Sequence, residues 1–130
     1  MTDDISNLKN AIRAILRQDF EPVSSARANT GKVHLEVWRS LRKRRAVGVE
    51  MDHEGQVNFW VVRPFGVPKA LPASVERVDK EPRGRAWTDE NGMGANSNLS
   101  AYEEFRNNPI ARLEVKSLAD ARVILDHLAG

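Results

Sequence analysis

The chain has 130 residues, of which 41% are hydrophobic and 29% charged, and it contains no cysteine. This size and composition suit one globular domain and exclude the disordered and fibrous classes. The lack of cysteine excludes disulfides, thiolate metal ligands and a thiol nucleophile. The net charge is only +2, no apolar run reaches membrane-spanning length, and the start is acidic. We therefore expect a single cytoplasmic domain with no membrane partner.

The first predicted element is an amphipathic helix near the start of the chain. Its apolar residues recur at steps of three and four, namely Ile5, Leu8, Ile12, Ile15 and Leu16. This period places them on one face of a helix. Asp3 and Asp4 suit the positive end of this helix, and Pro22 lies just beyond its expected end.

Alternating apolar residues then predict three successive strands. The three apolar sets are Val33, Leu35 and Val37, then Val47, Val49 and Met51, then Val57, Phe59 and Val61. Residues 52–55 are typical of a hairpin turn between the last two sets. The three strands are therefore expected to pair antiparallel.

Residues 63–98 break this pattern, because four of the six prolines and four of the eight glycines fall there. A short helix that begins at Pro72 is predicted from Leu71, Val75 and Val78. A short strand is predicted near residues 85–88, because a connection this long rarely lacks any structure.

The last part of the chain predicts a short helix, a strand and a longer helix. Ser100 and Glu103 have the spacing of a capping box, so a short helix is expected through about residue 107. Residues 111–115 alternate as a strand. Ser117 is then expected to cap a final helix with the apolar residues Leu118, Ala121, Ile124, Leu125 and Leu128, and Gly130 is the last residue of the sequence.

This order of elements predicts an α+β domain spanning residues 1–130. N-terminal and C-terminal helices are expected to pack on an antiparallel or mixed sheet of about four strands. Neither an internal repeat nor a regular alternation of strand and helix is present, and no composition shift indicates a domain boundary.

The strongest functional signal is a basic run between the first two predicted strands. Five of the seven residues at 39–45 are bases, namely Arg39, Arg42, Lys43, Arg44 and Arg45. Positive side chains neutralise phosphates, and aromatic rings stack on unpaired bases. We therefore expect this run to bind the phosphates of DNA or RNA. Arg83 and Arg85 are expected as further phosphate contacts, and Trp38 and Trp60 as stacking residues.

The same residues have a simpler interpretation. A basic run is most often a solvated loop that discourages aggregation at a sheet edge. A tryptophan on a strand is often covered by a helix rather than exposed.

A second hypothesis comes from Glu114, Val115 and Lys116, which lie on a predicted strand that leads into a helix. This tripeptide and its setting resemble the nuclease superfamily whose active site is written PD-(D/E)xK. The resemblance implies a divalent metal held by acids on adjoining strands and a lysine that positions water. Asp52, or alternatively Glu50, is the expected upstream acid. The competing interpretation is a strand face with cross-strand charge pairs.

Two other groups carry weaker signals. His53 stands among Glu50, Asp52 and Glu54 in a tight turn, where a solvated turn is expected rather than a metal site.

Residues 92–100 combine glycines with an expected helix start, an arrangement that attracts anions. They lack the lysine of a P-loop, so a folded loop is expected.

The leading hypothesis is a non-enzymatic binding module that contacts DNA or RNA and needs no cofactor or metal. A metal-dependent nuclease built on Asp52, Glu114 and Lys116 is the second hypothesis. The third is a protein that binds another protein through a sheet edge or a helix face. The sequence does not indicate the oligomeric state.

Overall fold

The structure, a computed structural model, describes residues 2–24, 35–83, 86–95 and 97–130. The elements in these ranges are α1 (Thr2–Asp19), β1 (Phe20–Pro22), β2 (Leu35–Ser40), β3 (Ala46–Glu50), β4 (Val57–Val62), β5 (Glu76–Arg83), β6 (Ala86–Thr88), a 3₁₀ helix (Ser97–Ala101), β7 (Ile110–Val115) and α2 (Leu118–Ala129). The strands form one antiparallel sheet in the order β1-β2-β3-β4-β7-β5-β6.

The predicted α+β class and antiparallel sheet are confirmed, but the predicted number of about four strands is wrong, because the sheet has seven. β2, β3 and β4 pair antiparallel in succession, as expected. β6 is the short strand expected near residues 85–88, whereas β1 and β5 were not expected. Val33 and Arg85 lie outside the described residues.

The two α-helices lie on one face of the sheet and form the first core with it. The buried residues of this core include Leu8, Ile12 and Leu16 of α1, Ile124, Leu125 and Leu128 of α2, and Val49, Phe59 and Leu113 of the sheet. The hydroxyl of Ser117 accepts a hydrogen bond from the backbone of Asp120, so the predicted N-cap is confirmed, and Gly130 forms the C-cap of α2. Within the described ranges, no helix is long and apolar enough to cross a membrane.

Residues 99–105 cover part of the opposite face of the sheet. Leu99, Tyr102 and Phe105 pack there with Trp60 in a second core. The backbone N–H of Tyr102 donates to Leu99 (3.1 Å), and that of Phe105 donates to Tyr102 (3.2 Å). These bonds span three residues, so the three side chains fall on one face. The predicted α-helix over residues 100–107 is therefore wrong, because a 3₁₀ helix and turns stand in its place.

The predicted helix at Pro72 is also wrong. The carbonyl of Pro72 accepts from the backbone of Val75 at 3.0 Å, which closes a single turn, and β5 begins at the next residue. Val78 lies on β5, opposite Arg112 of β7. β7 supplies the hydrogen-bond partners of β5 from a distant part of the sequence, and a local pattern cannot reveal such a partner.

We expect Leu99→Ala to lower the free energy of unfolding by about 3 kcal/mol, because Leu99 is fully buried and its loss leaves a cavity in the second core. Urea denaturation measures this change. Met93→Ala is the matched control, since Met93 is 64% exposed. Equal effects of the two substitutions would show that residues 99–105 do not cover the sheet.

Candidate functional site

Residues 41–45, which we call the basic turn, connect β2 to β3 and lie beside the last turn of each α-helix. The backbone N–H of Leu41 donates to the carbonyl of Asp19, at the end of α1, at 3.0 Å. The guanidinium of Arg45 donates to the carbonyl of His127, in the last turn of α2, at 3.0 Å. Carbonyls at helix C-termini lack helical partners and carry a partial negative charge. The basic turn therefore stabilises the ends of both helices.

One carboxylate on β1 neutralises two of the bases. Nη2 of Arg39 and Nη1 of Arg44 lie 2.9 and 2.8 Å from Oε1 of Glu21. The hydrogen bond from Arg39 is the main cause that lowers the pKa of Glu21, with Arg44 acting in the same direction. Arg39 also lies 3.6 Å from Glu104. Arg39 and Arg44 are thus engaged in ion pairs with the protein itself.

Arg42 and Lys43 are the available bases of the basic turn. Both side chains are exposed, and neither forms an ion pair or a hydrogen bond within the part of the chain that the structure describes. Arg42 lines a hollow of about 320 Å³ together with Asp19 and Asp126. These two side chains are therefore free to contact a ligand.

Arg83 lies apart from the basic turn. It is exposed at the end of β5. β4 and β7 lie between β3 and β5, so three strand spacings, about 14 Å in total, separate the two regions. Arg85, the other expected contact, is outside the described residues. The structure thus brings together the bases of residues 39–45 and leaves Arg83 at a distance.

The three tryptophans are engaged with the protein's own cores, including Trp38 and Trp60, which were expected to stack on bases. Trp60 is 2% exposed, and its Nε1 donates to Oε1 of Glu50 at 2.7 Å. Trp38 is half-buried and packs against the first core. Trp87 is 4% exposed, and its Nε1 donates to the carbonyl of Asn108 at 2.7 Å. Burial therefore leaves Trp60 without a free face for a nucleic-acid base.

The exposed aromatic residue near the basic turn is Phe65, which the sequence patterns did not indicate. Phe65 is 71% exposed in the turn that follows β4. Nε2 of His127 donates to its carbonyl at 2.7 Å. Pro64 and Gly66, which flank Phe65, are the signal that could have revealed an exposed tight turn.

The residues of the nuclease hypothesis lie at the opposite end of the sheet. Glu50, Asn58, Glu114 and Glu76 are cross-strand neighbours on β3, β4, β7 and β5. Residues directly opposite each other point to the same face, so these four side chains form one row. Asn58 separates Glu50 from Glu114 in this row, which we call the carboxyl row.

Two members of the carboxyl row, Glu76 and Glu114, shift each other's pKa in opposite directions. The hydrogen bond to Glu114 and the negative charge of Glu114 raise the pKa of Glu76. Burial raises the pKa of Glu114. Hydrogen bonds from Glu76 and Gln56 and the positive charges of Arg112 and Lys116 lower it, and together they bring it below its ordinary value. Within this pair, protonation is therefore favoured at Glu76 over Glu114.

The other residues of the nuclease hypothesis do not complete a metal site. Asp52 follows β3 and lies 3.8 Å from Nε2 of His53. Lys116 is exposed just beyond β7. Among the described residues, no group of three or more histidine, cysteine, aspartate or glutamate side chains is arranged to hold a metal ion. A catalytic role for Asp52, Glu114 and Lys116 stays a prediction.

The backbone of the glycine-containing loop after β6 binds the carboxylate of Asp89, at the start of the same loop. Oδ1 of Asp89 accepts from the backbone N–H groups of Asn91 and Met93, both at 2.9 Å. Oδ2 of Asp89 accepts from Nζ of Lys80 at 2.9 Å, and Lys80 is only 1% exposed. The Lys80 hydrogen bond is the main cause that lowers the pKa of Asp89. These two amides are therefore engaged by the protein's own carboxylate.

Known proteins offer no relative from which to transfer a role. No family model matches the chain, and no curated protein or solved structure is significantly similar to it. The function has to be inferred from the chain's own geometry and charge.

We expect Glu76→Gln to stabilise the protein at neutral pH, because it removes a negative charge beside Glu114. The folded state raises the pKa of Glu76, so it favours the protonated form. The resulting stability is present in acid and is lost as the pH rises through the pKa of the folded state. The stability difference between variant and wild type should therefore grow from about pH 4 to about pH 8.

Urea denaturation across this pH range measures the effect of Glu76→Gln. Glu54→Gln is the matched control, because Glu54 is exposed in the loop between β3 and β4. A stability difference that does not change with pH, or one that the control reproduces, would contradict the raised pKa of Glu76 beside Glu114.

Proposed function

We propose that this chain is a non-enzymatic binding module that contacts nucleic-acid phosphates through its basic turn. One observation carries the proposal. Arg42 and Lys43 are exposed and have no ion-pair partner among the described residues, whereas Arg39, Arg44 and Arg45 have partners there. A free cation neutralises a phosphate without first breaking an internal ion pair.

The basic turn is held in place before any ligand binds. The backbone N–H of Ser40 donates to Arg45 at 2.8 Å, and that of Arg44 donates to Ser40 at 3.1 Å. The hydroxyl of Ser40, which is fully buried, accepts from the backbone of Arg45 at 2.9 Å. A turn fixed in this way loses little conformational entropy on binding, which favours affinity.

The local charge supports phosphate contact of modest strength. Glu21 and Glu104 offset two of the five bases at residues 39–45, which leaves an excess of three positive charges. Asp19 and Asp126 line the hollow beside Arg42 and limit the positive field on that side. A small cationic surface of this kind contacts the backbone and does not read base sequence.

We expect the double substitution Arg42→Ala and Lys43→Ala to weaken binding of a fluorescein-labelled oligonucleotide and to flatten its salt dependence. Two phosphate contacts predict a slope of about −1.4 for a single strand and about −1.8 for a duplex, in a plot of log affinity against log salt concentration. The variant should lose most of this slope. Fluorescence anisotropy at several salt concentrations measures both quantities.

The matched control is the double substitution Lys116→Ala and Arg122→Ala. It removes the same charge from exposed positions beyond β7 and near the start of α2, away from the basic turn. We expect this control to keep wild-type affinity and slope. The proposal fails if the wild-type protein shows no binding at low salt, or if both double variants weaken binding equally.

The same oligonucleotide distinguishes the proposal from an enzyme. Cleavage that requires magnesium or manganese and is lost in Glu114→Gln would replace the binding module with the metal-dependent nuclease. Binding without cleavage under the same conditions is the result that we expect.

A further inference from the structure

Phe65 is unusual among the hydrophobic residues that the structure describes. Its exposed fraction of 71% exceeds those of Met93 at 64%, Leu41 at 48% and Val123 at 37%. Water around an aromatic ring is unfavourable, so a ligand that covers the ring gains free energy. Single exposed hydrophobic residues are common, however, so the position of Phe65 has to decide its meaning.

The backbone around Phe65 is fixed against the end of β4. The N–H of Gly66 donates to Val62 at 2.7 Å, and that of Val67 donates to Pro64 at 3.2 Å. A Cβ atom at Gly66 would lie 2.7 Å from the Cβ of Val61, so this close approach requires glycine. The backbone of this tight turn is therefore fixed, and the ring of Phe65 extends from it into solvent.

His127 connects this turn to the basic turn. Its imidazole Nε2 donates to the carbonyl of Phe65 at 2.7 Å, and its own carbonyl accepts from Arg45 at 3.0 Å. Phe65 and the basic turn thus contact the same residue at the end of α2. The protruding ring and the two free cations Arg42 and Lys43 belong to one end of the molecule.

From this geometry we infer that the nucleic acid is single-stranded and that one of its bases stacks on Phe65. The inference rests on the proposed function. In a duplex, the faces of the bases are covered by their neighbours, so a protruding ring finds no partner. In a single strand, each nucleotide offers a phosphate to the cations and a base face to the ring.

An anionic membrane is the competing partner for a ring flanked by cations. Stable membrane binding needs a larger apolar surface, or a second anchor in addition to the positive charge. Among the described residues, the large exposed apolar side chains at this end are Phe65 and Leu41, and they are single residues on separate turns. The observations therefore favour a single strand.

The test compares three substitutions at one exposed position. Phe65→Ala removes the ring, Phe65→Leu keeps an apolar side chain without a π face, and Phe65→Trp keeps an aromatic face. Anisotropy at low salt measures their affinity for a labelled 12-nucleotide single strand, for a duplex of the same sequence and for phosphatidylserine vesicles. Thermal melts verify that each variant folds, which we expect because Phe65 is exposed.

We expect the wild-type protein to prefer the single strand over the duplex. Phe65→Ala and Phe65→Leu should each lose about 5-fold to about 150-fold in single-strand affinity, the range for one base stacked on an aromatic ring. Phe65→Trp should keep wild-type affinity, and duplex affinity should change little in all three variants.

The outcomes separate the inference from the proposed function. If the Arg42 and Lys43 double variant weakens binding but Phe65→Ala does not, the basic turn binds nucleic acid and the stacking inference is wrong. If Phe65→Leu binds like wild type, the ring acts only as an apolar contact, and the inference is wrong again. If the protein binds vesicles and neither form of nucleic acid, both proposals fail.

Discussion

The fold depends on β7, because this strand pairs with β4 on one side and with β5 on the other. Its face beneath the helices is buried, and its other face is buried at Ile110 and partly exposed at Arg112 and Glu114. Leu113 and Val115 join the first core, beneath the helices, and Ile110 joins the second. The partners of β7 lie far earlier in the chain, so the sheet closes only when residues 110–115 have joined it. Pairings between such distant segments form slowly, which makes this step a natural barrier in folding.

β7 also determines where the charges lie. It brings Glu114 into the carboxyl row at one end of the sheet and leads directly into α2. The 12 residues of α2 rise by about 18 Å and end beside the basic turn. A net charge of +2 therefore conceals two clusters, the carboxyl row at one end of the sheet and the bases of residues 39–45 at the other.

The elements with a regular apolar period could be predicted from the sequence, whereas those that depend on distant partners could not. Both α-helices and β2 to β4 have such a period. β5 does not, because six of its eight residues are charged and its buried member is Lys80, paired with Asp89.

The basic run could be located as a cluster, but its pairing with Glu21 crosses from β2 to β1. Burial of Trp60 depends on the segment 99–105, which follows a three-residue period that resembles neither a strand nor an α-helix.

The bases at residues 39–45 have two different reasons to persist during evolution. Arg39 and Arg44 fasten β1 through Glu21, and Arg45 contacts the end of α2, so any descendant that keeps this fold has cause to retain all three. Within the described residues, the charged groups of Arg42 and Lys43 form no ion pair or hydrogen bond, and Lys43 contacts the end of α2 only through its carbon stem, beside Gly130. If the proposed ligand is what selects their charge, these two positions are free to become neutral once it no longer does so. Loss of charge at these two positions alone would then identify a lineage that has abandoned the proposed ligand while preserving the architecture.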